Sequence, residues 1–200
     1  MVLLLPVVVA LQPSCGRNDD DPEVRQAFES LLAALDGRNV PELWQFANDP
    51  TREAFDSLAA EILSTIDQVD RLYPEKDRAA ARKAIGADLV FTGARGKDLF
   101  AALLDGNKLA GPSNPKSRIA ERIVVGGNKA IVVTAAGETL EMVRDESERW
   151  RVGLFLEAFN ALPATSTLRD NLATAKQNCT IIAASLNGTP QAGAPAGAGR

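Results

Sequence analysis

Acid–base chemistry in this chain has few side chains to draw on, because none of its 200 residues is a histidine. Without histidine there is no general base for a Ser-His-Asp triad, no imidazole ligand for zinc and no ordinary proton shuttle near neutral pH. What remains are isolated carboxylates such as Asp88, Glu121 and Glu141, and the single tyrosine, Tyr73. Isolated carboxylates usually lie on a solvated face. We therefore expect no catalytic residue, no metal site and no cofactor.

Two further patterns bear on phosphate chemistry, and both argue against it. The segment GARGKD, residues 93–98, lacks the spacing and the Lys-Ser/Thr ending of a phosphate-binding loop, so it predicts a turn before a helix. The chain carries 22 Lys and Arg against 26 Asp and Glu, a net charge of -4. Because this balance supplies no basic surface for a phosphate backbone, we expect no nucleic-acid partner.

The amino-terminal residues change abruptly from apolar to charged at a cysteine. The apolar run Val2–Leu11 is much shorter than the roughly 20 residues that cross a membrane, and Pro6 interrupts it. It therefore predicts the hydrophobic region of a signal peptide over residues 1–14. Since no basic side chain occurs from Met1 to Pro13, we expect the true start of the chain to lie upstream.

The sequence LQPSC, which ends that region, resembles a bacterial lipobox, in which a small residue precedes the cysteine that is lipidated and becomes the new amino terminus. Ser14 and Cys15 fit this pattern. Gln12 departs from it, because the position three before the cysteine is usually leucine, and Leu11 lies one place too early. The resemblance implies lipidation at Cys15. The alternatives are a secretory signal cut by the ordinary peptidase and a chance cysteine near an export signal.

The residues after Cys15 fit an anchored protein. Residues 15–21 are polar and turn-prone, and predict a short tether. Gly16 after the cysteine resembles lipoproteins sent to the outer membrane of a Gram-negative cell, which implies the periplasmic face of that membrane in the bacterial cell envelope. If Cys15 is acylated, Cys179 has no partner, so the chain is no disulfide scaffold and the membrane is a partner through the anchor.

Helical periodicity dominates residues 21–105. Asp21 can cap a helix with Pro22 in its first turn, and apolar residues recur at helical spacing until Gly37. A short helix is predicted in VPELWQFA, and a long one opens at Asp49 and ends before Pro74. The segments EKDRAAARKAIGADL and KDLFAALLDG predict two more helices, with a short extended piece between them in VFTGARG.

After Lys116 the pattern changes to strands. Four runs, RIAERIVV, KAIVVTA, TLEMVRD and RWRVGLFLEA, are separated by the turn-like pieces GGN, AG and ESE. Such short links force antiparallel neighbours and predict a meander. In the fourth run Trp150, Val152, Leu154 and Leu156 alternate with other residues, which predicts a strand with one face in the core.

A last helix is predicted from about Ser166 to Asn187-Gly188. Its apolar stripe consists of Leu168, Leu172, Ala175, Cys179, Ile182 and Leu186, so we expect Cys179 to be a buried packing residue. Residues 189–200 are rich in Gly, Ala and Pro and predict a disordered tail. The predicted fold class is α+β, with N-terminal helices packed on a curved antiparallel sheet of about four strands and an added C-terminal helix.

Helices followed by a meander that ends in GETLEMVRDESERWRVGL resemble the nuclear transport factor 2-like superfamily, in which a cone of helices packs on a bent sheet. The resemblance is closest to small bacterial lipoproteins of unknown function. It implies a domain over residues 22–160, followed by a helical extension over 161–188. The helical stretch from Glu75 to Asp105 is longer than that fold needs, and the last helix is an addition, so the orientation of the cone's mouth stays open.

The same resemblance has implications for the function of the chain. Enzymes similar to ketosteroid isomerase place an acidic residue and a tyrosine or second acid inside the cone. Trp44, Tyr73 and Trp150 are our candidates for lining a pocket there, with core packing as the competing interpretation. We expect a lipid-anchored cell-envelope binding or scaffolding module without catalysis, whose partner is an unknown protein or a small apolar ligand. The alternative is a small carboxylate-dependent hydrolase or isomerase, which requires two acidic side chains to converge in an enclosed cavity.

Overall fold

The computed structural model describes residues 20–90, 93–105 and 112–188, with the backbone alone at 105, 187 and 188. The predicted signal peptide, Cys15, most of the tether and the tail over 189–200 lie outside these residues. Within them the chain forms helices α1 (Pro22–Asp36), α2 (Val40–Phe46), α3 (Asp49–Leu72), α4 (Glu75–Ala84) and α5 (Gly96–Asp105), a 3-10 turn (Pro115–Arg118), strands β1 (Ala120–Gly126), β2 (Lys129–Thr134), β3 (Thr139–Arg144) and β4 (Trp150–Val152), and helices α6 (Leu154–Asn160) and α7 (Pro163–Gly188).

Helix α1 begins and ends where its sequence predicts. The Asp21 carboxylate accepts hydrogen bonds from the backbone N–H groups of Glu23 (2.8 Å) and Val24 (3.3 Å), which satisfies donors that the first turn leaves unpaired. The helix ends at Gly37. Its predicted apolar face is buried, which confirms the first helix; the buried residues are Val24, Phe28, Leu31, Leu32, Ala34 and Leu35.

The four strands form one antiparallel sheet in the order β1-β2-β3-β4, as the short links predict. Opposite pairs such as Ile123–Val132 and Ala130–Met142 lie on one face and are buried, and α1 lies against β1 and β2. The α+β fold class is therefore confirmed.

Both outer strands of this sheet have partners from the N-terminal half of the chain. Beside β1, the Arg25 guanidinium donates to the Ala120 carbonyl (2.8 Å), and the Asp20 N–H donates to the Ile123 carbonyl (3.3 Å). Beside β4, the Asn48 N–H donates to the Val152 carbonyl (3.1 Å). The segments that flank α1 and α2 are thus tied to the two sides of the sheet.

The predicted fourth strand is wrong beyond Val152. Gly153 adopts helical backbone angles (φ -90°, ψ -7°), and the following residues form α6. The sequence LFLEAFN fits both a period of two and a spacing of four. A helix places Phe155 and Phe159 on one side, where both are buried, and this burial outweighs the alternation that suggested a strand.

Helix α5 approaches α3 more closely than any side chain would permit at one position. The Gly96 N–H donates to the Asp56 carboxylate (2.7 Å). A Cβ at residue 96 would lie 2.5 Å from the Asp56 backbone nitrogen and 2.8 Å from the Phe55 carbonyl carbon. Because these are backbone atoms, they cannot rotate out of the way as the end of a flexible side chain could. Gly96 is therefore required by the close packing of α5 on α3.

Helix α7 packs mainly on α3 and shares its core. It begins at Pro163, a few residues before the predicted start, and the Lys176 ammonium pairs with Glu61 of α3 at 2.6 Å. Leu168, Leu172, Ala175 and Cys179 are buried as predicted, whereas Leu186 is 64% exposed, so the stripe leaves the core before the helix ends. None of the helices in the described part of the chain is long and apolar enough to cross a membrane.

Candidate binding groove

A groove of about 530 Å³ lies between the α1–α2 pair and the turn that joins β3 to β4. Pockets for small ligands usually occupy about 300–1,000 Å³, so the groove is large enough to bind one. We call it the α1–β4 groove. Its lining is Glu23, Gln26, Ala27, Ser30, Glu42, Gln45, Phe46, Glu148, Arg149, Trp150 and Arg151.

Trp150 is the most buried aromatic residue of this lining, with 6% of its surface exposed. It lies opposite Arg144 in the sheet, and the Arg144 guanidinium carbon is 5.1 Å from the centre of the indole ring, a cation–π contact. The indole Nε1 is buried and has no hydrogen-bond partner among the described residues. Leaving such a donor unpaired costs about 1–3 kcal/mol, so a ligand acceptor at this position would gain that energy.

Arg144 also connects the two sides of the groove. Its guanidinium pairs with Glu23 of α1 and with Glu148 of the turn, the latter at 2.9 Å. Glu148 has a positive φ of 62°, in the left-handed region that costs a side-chain-bearing residue about 1–2 kcal/mol. The turn therefore holds an exposed carboxylate at the groove in a conformation that glycine would adopt at lower cost.

The turn is held by a shielded ion pair between Asp145 and Arg151, which is only 5% exposed. The Arg151 Nε donates to one Asp145 oxygen at 2.6 Å, and the other oxygen accepts from the backbone N–H groups of Ser147 (2.9 Å) and Arg149 (3.0 Å). Burial alone would raise the pKa of Asp145, but these hydrogen bonds and the Arg151 charge hold the pKa well below its usual range. Asp145 is thus an ionised structural group.

The structure separates the three residues predicted to line a pocket. Trp150 lines the α1–β4 groove, whereas Trp44 is half-buried against Phe100, with ring centres 5.3 Å apart. Tyr73 is half-buried at the end of α3, where its carbonyl accepts from Arg78 (2.9 Å). Neither of the two grooves described here is lined by more than one of the three, and their role in binding stays a prediction.

A second groove, of about 870 Å³, lies beside α4. It is lined by charged residues and alanines, namely Asp70, Glu75, Arg78, Ala79, Arg82, Lys83, Ala87 and Asp88. Its central pair, Arg82 with Asp70, is at 3.3 Å and partly exposed. Because this lining contains no aromatic side chain and no buried polar atom that lacks a partner, it gives weaker grounds for a specific ligand.

The isolated carboxylates are exposed, as expected: Asp88, Glu121 and Glu141 all lie at the surface. No aspartate or glutamate is among the buried polar residues in the described part of the chain. Across residues 20–90, 93–105 and 112–188, we find no group of three or more His, Cys, Asp or Glu placed to hold a metal ion.

Cys179 is 2% exposed, which confirms the prediction that it is a packing residue, and burial raises the pKa of its thiol. Both effects reduce attack by thiolate-specific reagents, because only the deprotonated, accessible sulfur reacts. In the chain that carries Cys15→Ser, we expect a thiol reagent at pH 8 to label Cys179 at least 100-fold more slowly in the native state than in urea. Equal labelling rates in the two states would contradict its burial.

No family model matches the chain, and no curated protein or solved structure matches it either. Sequence reasoning missed the Asp145–Arg151 pair and the Arg144 bridge. One signal was available for the first, because an aspartate followed two residues later by a serine, here Asp145 and Ser147, is typical of turns in which the carboxylate accepts backbone hydrogen bonds.

Proposed function

We propose that this chain is a lipid-anchored module of the bacterial cell envelope that binds or scaffolds another molecule. The observation that carries the proposal is the apolar run Val2–Leu11 followed by Ser14-Cys15 and a polar segment. Under this proposal Cys15 is the lipidated residue, and the mature chain begins there.

The beginning of the folded part supports a short tether. The Asp20 N–H is bonded to the sheet and Asp21 caps α1, so the first hydrogen-bonded backbone group among the described residues lies five positions after Cys15 in the sequence. Five extended residues span at most about 18 Å. A domain held this close to a membrane would act on partners at the membrane surface.

For the fold, we propose the cone-shaped arrangement of the nuclear transport factor 2-like superfamily. Helices that precede an antiparallel meander, with α1 on the inner face of the sheet, support it. The added helices α4, α5 and α7 and the short β4 depart from it, and an experimentally determined structure with a clear match to that superfamily would test it.

The alternative, a carboxylate-dependent enzyme, has no specific observation in its favour. The core between α3, α5 and α6 is filled by the aromatic rings of Phe55, Phe100 and Phe155. The carboxylate of Asp145, the most shielded acid with a perturbed pKa, already accepts hydrogen bonds from neighbouring residues. The residues therefore favour the binding module over the enzyme.

The anchor is tested by Cys15→Ser in the full chain, expressed in a Gram-negative host. We expect the wild type to sediment with membranes and the variant to be soluble, because each buried methylene of the acyl chains contributes about 0.8 kcal/mol to membrane binding. Ser14→Ala is the matched control, since it keeps a small residue before the cysteine and should stay in the membrane fraction. If Cys15→Ser sediments as the wild type does, the anchor proposal is wrong.

A further inference from the structure

We propose that the α1–β4 groove binds a short extended peptide segment that contains a lysine. In this proposal the Trp150 indole N–H donates to a backbone carbonyl of the peptide, and the lysine ammonium pairs with the carboxylates of the groove. The inference deepens the proposed binding function, on which it rests, by naming the class of partner.

The Trp150 side chain supplies a hydrogen-bond donor without a partner in the described part of the chain. Trp150 is buried and lines the groove, and its Nε1 has no acceptor among the described residues. Arg144 Nε, beside the same ring, is a second buried donor without an acceptor. Two neighbouring donors call for acceptor oxygens, and an extended peptide exposes its carbonyls, whereas a helix uses them internally.

The groove is lined by both polar and apolar side chains. Gln26, Gln45 and Ser30 offer amide and hydroxyl groups, which pair with both N–H and C=O groups of a backbone. Phe46 and Ala27 provide apolar surface between them. This mixture suits a peptide better than a purely apolar ligand, because the N–H and C=O groups of a backbone need hydrogen-bond partners when they are buried.

The charged side chains of the groove also favour a lysine. Three carboxylates line the groove, and Arg144 pairs with two of them, Glu23 and Glu148. Arg149 adds one further positive charge and Arg151 is neutralised by Asp145, so the groove keeps an excess of one negative charge. Glu42 accepts a hydrogen bond from the Asn39 amide (2.8 Å) but forms no ion pair with any described residue. This excess negative charge favours a cationic side chain over an anionic one.

Access to the indole requires one rearrangement, because Nε1 is closed off from solvent in the unbound structure. The contact between Arg144 and Glu148 joins a partly exposed guanidinium to an exposed carboxylate, and such surface ion pairs cost little free energy to break. The positive φ of Glu148 lowers that cost further, because the turn releases strain when it moves.

The experiment uses the full chain with Cys15→Ser, labelled with ¹⁵N, and follows the indole N–H signals, of which two exist because the chain has two tryptophans. Trp150→Phe assigns the signal by removing it. The probes are acetyl-Ala-Lys-Ala-amide and its matched control acetyl-Ala-Glu-Ala-amide. We expect the lysine peptide alone to move the Trp150 indole proton downfield to saturation, as a new hydrogen bond does.

The charge contribution is tested in the same titration. Glu42→Gln should weaken the lysine peptide about threefold, the size expected for one exposed ion pair, whereas Glu29→Gln, an exposed residue of α1 outside the lining of the groove, should leave binding unchanged. The proposal is overturned if the lysine peptide causes no saturable shift, or if the two peptides bind equally. Neither result depends on the anchor, so failure here leaves the membrane fractionation of Cys15→Ser as a separate result.

Discussion

Phe100→Ala is expected to lower the free energy of unfolding by about 4 kcal/mol, the largest effect of any single substitution considered. Phe100 is 0% exposed, and its ring centre lies 5.3 Å from Trp44, 5.4 Å from Phe55 and 5.3 Å from Phe155. These three rings belong to different helices. Removing the central ring leaves a cavity whose walls are held by separate elements and cannot close together.

Urea unfolding at pH 7, followed by circular dichroism, measures this loss. Phe100→Leu fills most of the space and should cost about 1–2 kcal/mol. Leu186→Ala, at an exposed site on α7, is the matched control and should change stability by less than about 0.5 kcal/mol. A loss below about 1.5 kcal/mol for Phe100→Ala would show that the aromatic core is not packed as described.

Asp145→Ala should lower the free energy of unfolding by about 3 kcal/mol at pH 7. The substitution leaves the buried Arg151 guanidinium without its counter-charge and deprives the Ser147 and Arg149 N–H groups of their acceptor. Glu141→Gln removes an exposed ion pair with Lys129 and should cost less than about 0.5 kcal/mol. Similar losses for the two variants would contradict the special role of Asp145.

This second effect should depend on pH in a defined direction. The pKa of Asp145 is lower in the folded state than its unfolded value near 3.9, so its contribution is complete above the unfolded value and is lost as pH falls toward the folded one. The difference between wild type and Asp145→Ala should therefore be constant from pH 7 to about pH 5 and shrink below about pH 4. Urea unfolding across this range measures it, and a difference that grows on acidification would contradict the assignment.

Local pattern was sufficient to predict most of the fold. Asp21 and Pro22 mark the start of α1, and the turn-like links specify an antiparallel order. The failure came at residues 153–160, where the apolar residues satisfy two periods at once. What decided the outcome was a long-range contact, the 4.7 Å approach of Phe159 to Phe55, which no local window contains.

The candidate groove was less predictable than the fold. Trp150 was among the predicted pocket residues, but most of its neighbours in the groove come from α1 and α2, more than 100 positions away in the chain. The Arg144–Glu23 pair spans the same separation. Such a site depends on how α1 packs against the sheet. The local sequence of the charged turn predicts only a turn.

The hydrogen bonds on the outer sides of β1 and β4 have a consequence for aggregation. Open strand edges present free backbone groups that can template pairing with another chain, as in amyloid. Here Arg25 and Asp20 occupy carbonyls along β1, and Asn48 occupies one on β4, so the four-stranded sheet offers few contiguous positions to an incoming strand. If the chain is anchored at Cys15 as proposed, copies would meet often on one surface, and this edge protection would keep neighbouring copies from merging their sheets.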